Sequence, residues 1–222
     1  MNRAEIADKI VELEKTSGTN TGWHQRINIG GVWTTTKHVT DVELVERIVS
    51  NLITESLIDK EVLDIGTNAG LFCLQLSQYG ARCHGVESKN EWYKQALFVR
   101  DQLGGKYSLI AGFVDDFNLS QAKYDYVFAI SVLRYIGVNR FGFKLTNKLS
   151  HYQVEFIKIL ANKTNNFIIK CGLTKYDNID FWSGVLASCG FVENGSIIAY
   201  PDVPNAKQSR EIKRFTRYGS AL

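Results

Sequence analysis

Apolar residues fall on one face of a helix across residues 2–16, where Ile6, Ile10 and Leu13 recur at helical spacing and Asn2 stands three positions before Glu5 as a capping box. The polar stretch TSGTNTG ends that helix. The following segment, WHQRINIGGVWTTTKH (23–38), is aromatic, glycine-containing and rich in threonine, which suits a hairpin or structured loop. Thr40 or Asp41 then caps a second helix carrying Leu44, Val45, Ile48, Val49 and Leu52.

From residue 61 the pattern becomes a regular alternation. EVLDIG and ARCHGVE read as short buried strands, with a helical run through AGLFCLQLSQYG between them and a helix opened by Ser88 and Glu91 running to Leu103. YSLIAGFV, YDYVFAIS and NNFIIKCG are further strands, and a helical pattern covers residues 145–162. A helix over Ile179–Ser188, a strand near 191–200 and REIKRFTRY, read as an edge strand, complete the chain. Repeated strand-then-helix units predict an α/β fold, a mostly parallel sheet with helices on both faces.

The composition narrows the class. With 222 residues, 45% of them hydrophobic and only two prolines, the chain is neither low-complexity nor collagen-like, and 1–222 is expected to be one domain. The four cysteines have no CxxC pair and apolar neighbours, so neither a metal site nor a disulfide framework is expected. No signal-peptide pattern and no long apolar run is seen, and a cytoplasmic location is expected. A net charge of +3 permits a polyanionic partner without demanding one.

In an open parallel sheet, ligands bind beyond the carboxyl ends of the strands. The first such end reads Asp64-Ile65-Gly66-Thr67-Asn68-Ala69-Gly70. Gly66 and Gly70 allow close backbone approach, and Asn68 tolerates a left-handed conformation. The spacing is not GxGxxG, and no GxxxxGK[ST] loop exists. Glu87, 23 residues after Asp64, stands where a carboxylate can accept hydrogen bonds from ribose hydroxyls. Separately, Asp64 reads as a helix cap and Glu87 as a solvated strand end; together with the glycine turn they point to an adenosyl ligand.

VLDIGTNAG, GVES, FVDD and YDYVFAISVL, in that order, resemble the successive motifs of class I S-adenosylmethionine-dependent methyltransferases over residues 61–172. The resemblance implies a Rossmann-like fold with a seven-stranded sheet, residues 1–60 as a helical lid and lead-in, 61–172 as the cofactor-binding core and 173–222 as the completion of the sheet. It implies that Asp64, Gly66, Asn68 and Gly70 meet the methionine part of S-adenosylmethionine, Glu87 the ribose, Asp115 or Asp116 the adenine amine, and that Ile130 and Ser131 lie beside the cofactor. Asn68 departs from the usual glycine.

INIGGVWTTTKH is similar to the lead-in of tRNA wobble-uridine methyltransferases, which implies that Trp33 and Lys37 fold over the cofactor; the alternative makes Trp33 a core aromatic and Lys37 a solvated charge. SVLRYIGVNRFGF and the elements after it resemble the methyltransferase part of enzymes that terminate O-antigen chains. Both groups carry a histidine pair after the fourth strand, where this chain has Arg134 and Tyr135. Tyr135, Arg134 and His24 are the candidate catalytic residues, with Arg134 suited to holding an anionic acceptor rather than to acting as a base. His38 and His151 are weaker candidates, and His84, within a strand, reads as a satisfied core histidine. The basic run Lys207, Arg210, Lys213, Arg214 and Arg217 reads first as the wet side of an edge strand and second as a phosphate grip. The leading reading is methyl transfer to an oxygen or nitrogen of a small molecule or sugar. A tRNA acceptor comes second and an inactive cofactor-binding partner subunit third; the oligomeric state is left open.

Overall fold

The structure, a computed structural model, describes residues 1–16, 22–34, 36–40 (backbone only), 42–114, 123–137, 151–171, 179–199 and 211–219. Helix α1 (Arg3–Thr16) begins as its capping box requires: Asn2 Oδ1 accepts from the Ala4 and Glu5 amides at 3.0 Å, and the Asn2 amide donates to Glu5 Oε2 at 2.8 Å. Its buried face, Ile6, Ile10 and Leu13, meets the lead-in segment, whose Trp23 Nε1 donates to the Ile10 carbonyl at 3.2 Å. The lead-in holds β1 (Trp23–Gln25), which pairs in parallel with β4 (Thr36–Thr40), and a tight hairpin of β2 (Asn28–Ile29) and β3 (Val32–Trp33). Helix α2 (Val42–Leu52) follows.

The remaining elements are β5 (Glu61–Ile65), α3 (Leu71–Gln78), β6 (Arg82–Glu87), α4 (Asn90–Leu103), β7 (Ser108–Ala111), β8 (Tyr124–Ile130), a 3-10 turn at Leu133–Tyr135, α5 (His151–Ala161), β9 (Thr164–Lys170), α6 (Ile179–Ser188), β10 (Phe191–Ile198) and β11 (Glu211–Arg217). They build a seven-stranded sheet ordered β10-β11-β9-β8-β5-β6-β7 in which β11 alone runs against its neighbours. The chain walks outward from β5 to β7 and returns as β8 on the other side of β5, so the strand order reverses between β5 and β8. In open parallel sheets, such a reversal is where a ligand crevice lies, at the carboxyl ends of the two strands. Each face of the sheet has its own apolar core. α1, α2, α3 and α4 cover Val62, Tyr126, Phe128, Ile168 and Ile212, while α5 and α6 cover Leu63, Val127, Ala129, Phe167, Ile169 and Phe215. Burying each large apolar side chain is worth roughly 1.5–3 kcal/mol.

Two expectations need correction. REIKRFTRY is not an edge strand: β11 is inserted between β9 and β10, and β10 forms the edge. The charges that suggested a solvated strand are taken up by the protein. Arg214, 3% exposed, donates through Nε and Nη2 to Asn166 Oδ1 (3.2 and 2.9 Å) and through Nη1 to the Leu52 carbonyl and Thr54 Oγ1 (both 3.0 Å). Lys213 pairs with Glu193 at 2.9 Å, and Arg217 donates to the carbonyls of Ala161, Thr164 and Cys189. Lys207 and Arg210 lie outside the described residues. Ser88, in turn, does not cap α4. The helix starts at Asn90, with Lys89 in an extended conformation as its cap and no side-chain hydrogen bond there, and Glu87 Oε1 accepts the Lys89 amide at 2.9 Å. His84 is satisfied, with Nε2 2.7 Å from Glu61 and Nδ1 2.8 Å from Ser108. No helix among the described residues is long and apolar enough to cross a membrane.

Arg214 therefore ties β11 to β9 and to the end of α2. Arg214→Ala is expected to lower stability by about 3–5 kcal/mol, because it strands a buried polar cluster. Arg82→Ala, which removes an exposed pair with Asp59 and Glu61, should leave the melting temperature nearly unchanged. Denaturant titration of the two variants measures the contrast, and equal effects would remove Arg214 from this role.

Candidate functional site

The site grows from the turn that joins β5 to α3. Gly66 (φ 69°), Asn68 (φ 55°) and Gly70 (φ 84°) are all left-handed, so the chain coils back on itself within five residues. Gly66 also admits nothing larger, since a Cβ there would lie 2.7 Å from Val132 Cγ2. The turn is fastened to β6: the amides of Gly66 and Thr67 both donate to the Val86 carbonyl, at 2.9 and 3.1 Å, and the Asn68 amide donates to Glu87 Oε2 at 3.0 Å. Asn68 places its side chain on its own turn, Oδ1 accepting from the Ala69 amide at 2.8 Å.

The two acids have different surroundings. Asp64, 2% exposed, is the penultimate residue of β5, between Gly85 and Phe128 of the flanking strands. Burial pushes its pKa up to about 7, and Glu87 adds to the rise, against hydrogen bonds from the Thr67 hydroxyl and from the Cys73 thiol at 3.9 Å. Glu87 is also raised by burial, opposed by the backbone amides of Lys89 and Asn68 that its oxygens accept. Each of those oxygens keeps further acceptor capacity, because a carboxylate offers about four lone-pair sites.

Across the crevice, β8 ends at Ile130, which packs on the core, and Ser131. Ser131 holds a left-handed φ of 60°, unusual for a residue with a side chain, and its amide donates to the Lys170 carbonyl at 2.7 Å. Its hydroxyl is buried without a hydrogen-bond partner. Arg134 and Tyr135 follow on the 3-10 turn; Arg134 Nη2 donates to Tyr135 Oη at 2.8 Å, and its guanidinium lies 4.8 Å from the Tyr135 ring centre. His24 stands on β1 with its ring edge-on to Trp92 of α4, 4.9 Å between centres. Trp33 is 49% exposed beneath the Arg26 guanidinium, 4.8 Å away, and so is not a core aromatic. Lys37 lies in β4, where only the backbone is described, and Asp115 and Asp116 fall outside the described residues. The structure thus brings Asp64, Gly66, Asn68, Gly70, Glu87, Ile130 and Ser131 to one end of adjoining strands, with Arg134 and Tyr135 on the loop that continues from them.

Three contributors escaped the sequence reading. The Gln25 side chain reaches into the glycine turn, Nε2 donating to the Thr67 carbonyl at 3.2 Å and Oε1 accepting the Leu71 amide at 3.0 Å. Gln153 of α5, also buried, donates to the carbonyls of Arg134 (2.9 Å) and Ile136 (3.1 Å) and so holds the loop after β8. Lys170 is 4% exposed at the end of β9, in register with Ile130. A lysine closing the apolar run Phe167-Ile168-Ile169 is a legible signal, whereas neither glutamine stands in any local pattern.

No protein-family model matches the chain, and no curated protein matches it by sequence. Solved structures do. The N-terminal domain of EvdMO1, solved in the presence of S-adenosylhomocysteine and D-fucose, superposes with a TM-score of 0.67 at 14% identity over 98% of this chain and 97% of that one. The magnesium protoporphyrin IX methyltransferase ChlM of Synechocystis PCC 6803, with bound S-adenosylmethionine, gives 0.59 at 17% identity over 79% and 78%. WbdD, solved with a kinase inhibitor, gives 0.64 at 16% identity over 94% of this chain and 47% of that one. The chain shares the Rossmann-like fold of these proteins.

The electrostatics of Asp64 have a measurable consequence. An unfolded chain releases this proton near pH 4 and the folded one near 7, so between those values the folded state binds more protons and its stability falls as pH rises. Asp64→Asn removes the group. The gap in melting temperature between the ligand-free variant and the unchanged protein should widen in the variant's favour from pH 4 to 7 and stay flat above that. A gap that does not change over this window would show that Asp64 ionises freely.

Proposed function

We propose that this chain is an S-adenosylmethionine-dependent methyltransferase acting on an oxygen or nitrogen of a small-molecule or sugar acceptor. The observation that carries the reading is the joined set at the carboxyl edge: a buried acid, a left-handed glycine turn and a second acid fixed to that turn through the Asn68 amide. The donor set fits the cofactor. Asp64 suits an ammonium group, since a nearby cation relieves the cost of ionising a carboxylate held in the core. Glu87 retains acceptor sites for a pair of ribose hydroxyls. The Ser131 hydroxyl, buried and without a partner, offers a polar contact beside Ile130. Asp115 or Asp116 is assigned to the adenine amine, and Trp33 and Lys37 to the covering segment.

When bound, the cofactor supplies a methyl group on a sulfonium, whose leaving group needs no protonation. The chain's own task is then to bring the acceptor close, align it and exclude water. Arg134 and Tyr135, on the loop that continues β8, take the acceptor: the planar guanidinium holds an anionic or hydroxyl-rich group through paired hydrogen bonds, and the phenol adds one more. His24, against Trp92 on the helix after Glu87, is assigned a bracing rather than a proton-transfer role.

A sugar acceptor is supported by the match to the EvdMO1 domain solved in the presence of D-fucose, which spans nearly all of both chains. The RNA reading loses much of its motive. Among the described residues of the basic run, Arg214 is internal and Lys213 and Arg217 are engaged by the protein, so they do not present a continuous phosphate-binding face.

Calorimetry with S-adenosylmethionine and S-adenosylhomocysteine tests the first half. Saturable binding is expected, weakened about ten-fold or more by Asp64→Ala or Glu87→Ala, as removal of a charge-assisted contact predicts. No binding, or unchanged affinity in both variants, overturns the assignment. Methyl transfer from labelled cofactor to a panel of deoxy and amino sugars tests the second half. Turnover on that panel that survives salt and falls in Arg134→Ala supports it, whereas steeply salt-sensitive turnover on tRNA alone would favour the nucleic-acid acceptor.

A further inference from the structure

The turn that closes on the ligand cannot hold its shape by itself. Helix α3 starts after Gly70, which has no side chain to cap it, and the amide of Leu71 needs an acceptor in a place shut off from water. Gln25 supplies that acceptor from 46 residues earlier in the chain, and the other end of the same amide donates to the Thr67 carbonyl. One planar group therefore spans residues 67–71 from the first carbonyl to the first helical amide. At 5% exposure Gln25 has no solvent alternative.

Its neighbours make the contact more than a chance cap. Trp23, two residues earlier, is fully buried and anchored to the Ile10 carbonyl of α1. His24 packs on Trp92, whose ring also carries the Lys89 ammonium 4.1 Å from its centre, and the Lys89 amide is one of the two that hold Glu87. The Gln25 carbonyl accepts the Thr34 hydroxyl at 2.7 Å, and Thr34 closes the hairpin loop through Ile27. Three consecutive residues thus join α1, the glycine turn and the helix that follows Glu87.

We infer that Gln25 is a positioning residue for the cofactor, holding the glycine turn in its binding-competent shape and making residues 22–34 part of the cofactor site. The inference rests on the cofactor reading above. Cofactor binding and order in the lead-in are then linked: the ligand steadies the turn, the turn holds the amide, and the amide holds β1. The segment acts through the turn and touches no reacting atom, so its loss is felt in affinity and not in the chemical step.

Three variants test this. Gln25→Leu removes both hydrogen bonds at similar volume, Gln25→Glu keeps the acceptor for Leu71 while setting a carboxylate against the Thr67 carbonyl, and Ile48→Val destabilises the same core from α2 without touching the turn. For Gln25→Leu the expected result is a dissociation constant for S-adenosylhomocysteine, and a KM for S-adenosylmethionine, raised about ten-fold, as two lost hydrogen bonds predict, with kcat within about two-fold. Gln25→Glu should weaken binding at neutral pH, and its deficit relative to the unchanged protein at the same pH should shrink as the carboxyl is protonated. Ile48→Val should bind normally despite its lower melting temperature. Hydrogen exchange should show S-adenosylhomocysteine protecting amides of 22–34 in the unchanged protein and not in Gln25→Leu. Normal affinity in Gln25→Leu, or a loss in Ile48→Val that matches it, overturns the inference while leaving the cofactor reading intact; should Gln25→Leu not fold, Gln25→Glu decides alone. Failure of the unchanged protein to bind sinks both.

Discussion

The Val86 carbonyl receives the amides of both Gly66 and Thr67, and the rest of the carboxyl edge follows from that shared acceptor. It pins the end of β5 to the end of β6 at the point where the chain must turn sharply to start α3. With the turn pinned, the Asn68 amide faces Glu87, and the acid that closes β6 becomes a strut between the turn and α4 instead of a solvated strand end. Gly66 has to be glycine because Val132, on the far side of the crevice, occupies the space a Cβ would need. β5, β6 and the segment after β8 are thereby locked in one geometry by a handful of backbone contacts.

Polar groups are buried at both ends of the sheet, and they differ in how completely the protein answers them. Away from the crevice, the Arg214 guanidinium is met by Asn166, Leu52 and Thr54, and the Tyr126 hydroxyl donates to Glu55 at 2.6 Å. These groups are internally satisfied, as buried structural polarity must be. At the carboxyl edge the accounts stay open. Asp64 resists ionisation, Glu87 has acceptor capacity left, and Ser131 combines a strained backbone with an unanswered hydroxyl. Gln95 Oε1, Tyr107 Oη and Trp182 Nε1 are also buried without a partner, so it is not the unanswered hydroxyl alone but its combination with two pKa-raised acids and a left-handed Ser131 at one strand end that supports the binding reading.

Much of this was legible in the sequence because it is local. The capping box at Asn2 and Glu5, the strand-helix alternation from residue 61, and the spacing of Asp64, the glycines and Glu87 each depend on residues close together in the chain. What could not be read depends on contacts between distant segments. β11 looked like an edge strand because its lysines and arginines suit the wet side of a sheet edge, yet Asn166 and the end of α2 turn Arg214 into an internal group. Ser88 looked like a helix cap because serine with glutamate three positions on is a local capping pattern, yet the helix begins one residue later, after an extended Lys89. Gln25 and Gln153 carry no periodic or motif signal, since a glutamine becomes structural only when another element arrives within reach.

The choice of glutamine at position 25 follows from the charge balance of the crevice. The two loops that flank it, after β5 and after β8, expose backbone donors and acceptors that the sheet itself cannot pair, and each is held by a buried amide from an element outside the turn. An arginine could donate to the Thr67 carbonyl, but it would lower the pKa of Asp64 and offer nothing to the Leu71 amide. A glutamate could accept from Leu71, but it would add a third carboxylate beside Asp64 and Glu87 and make ionisation of all of them harder. A neutral amide donates and accepts at once and leaves the local potential to the two acids. The fold can therefore brace the turn without altering the charge presented to a ligand, and the titration of Asp64 stays governed by burial and by whatever cation approaches it.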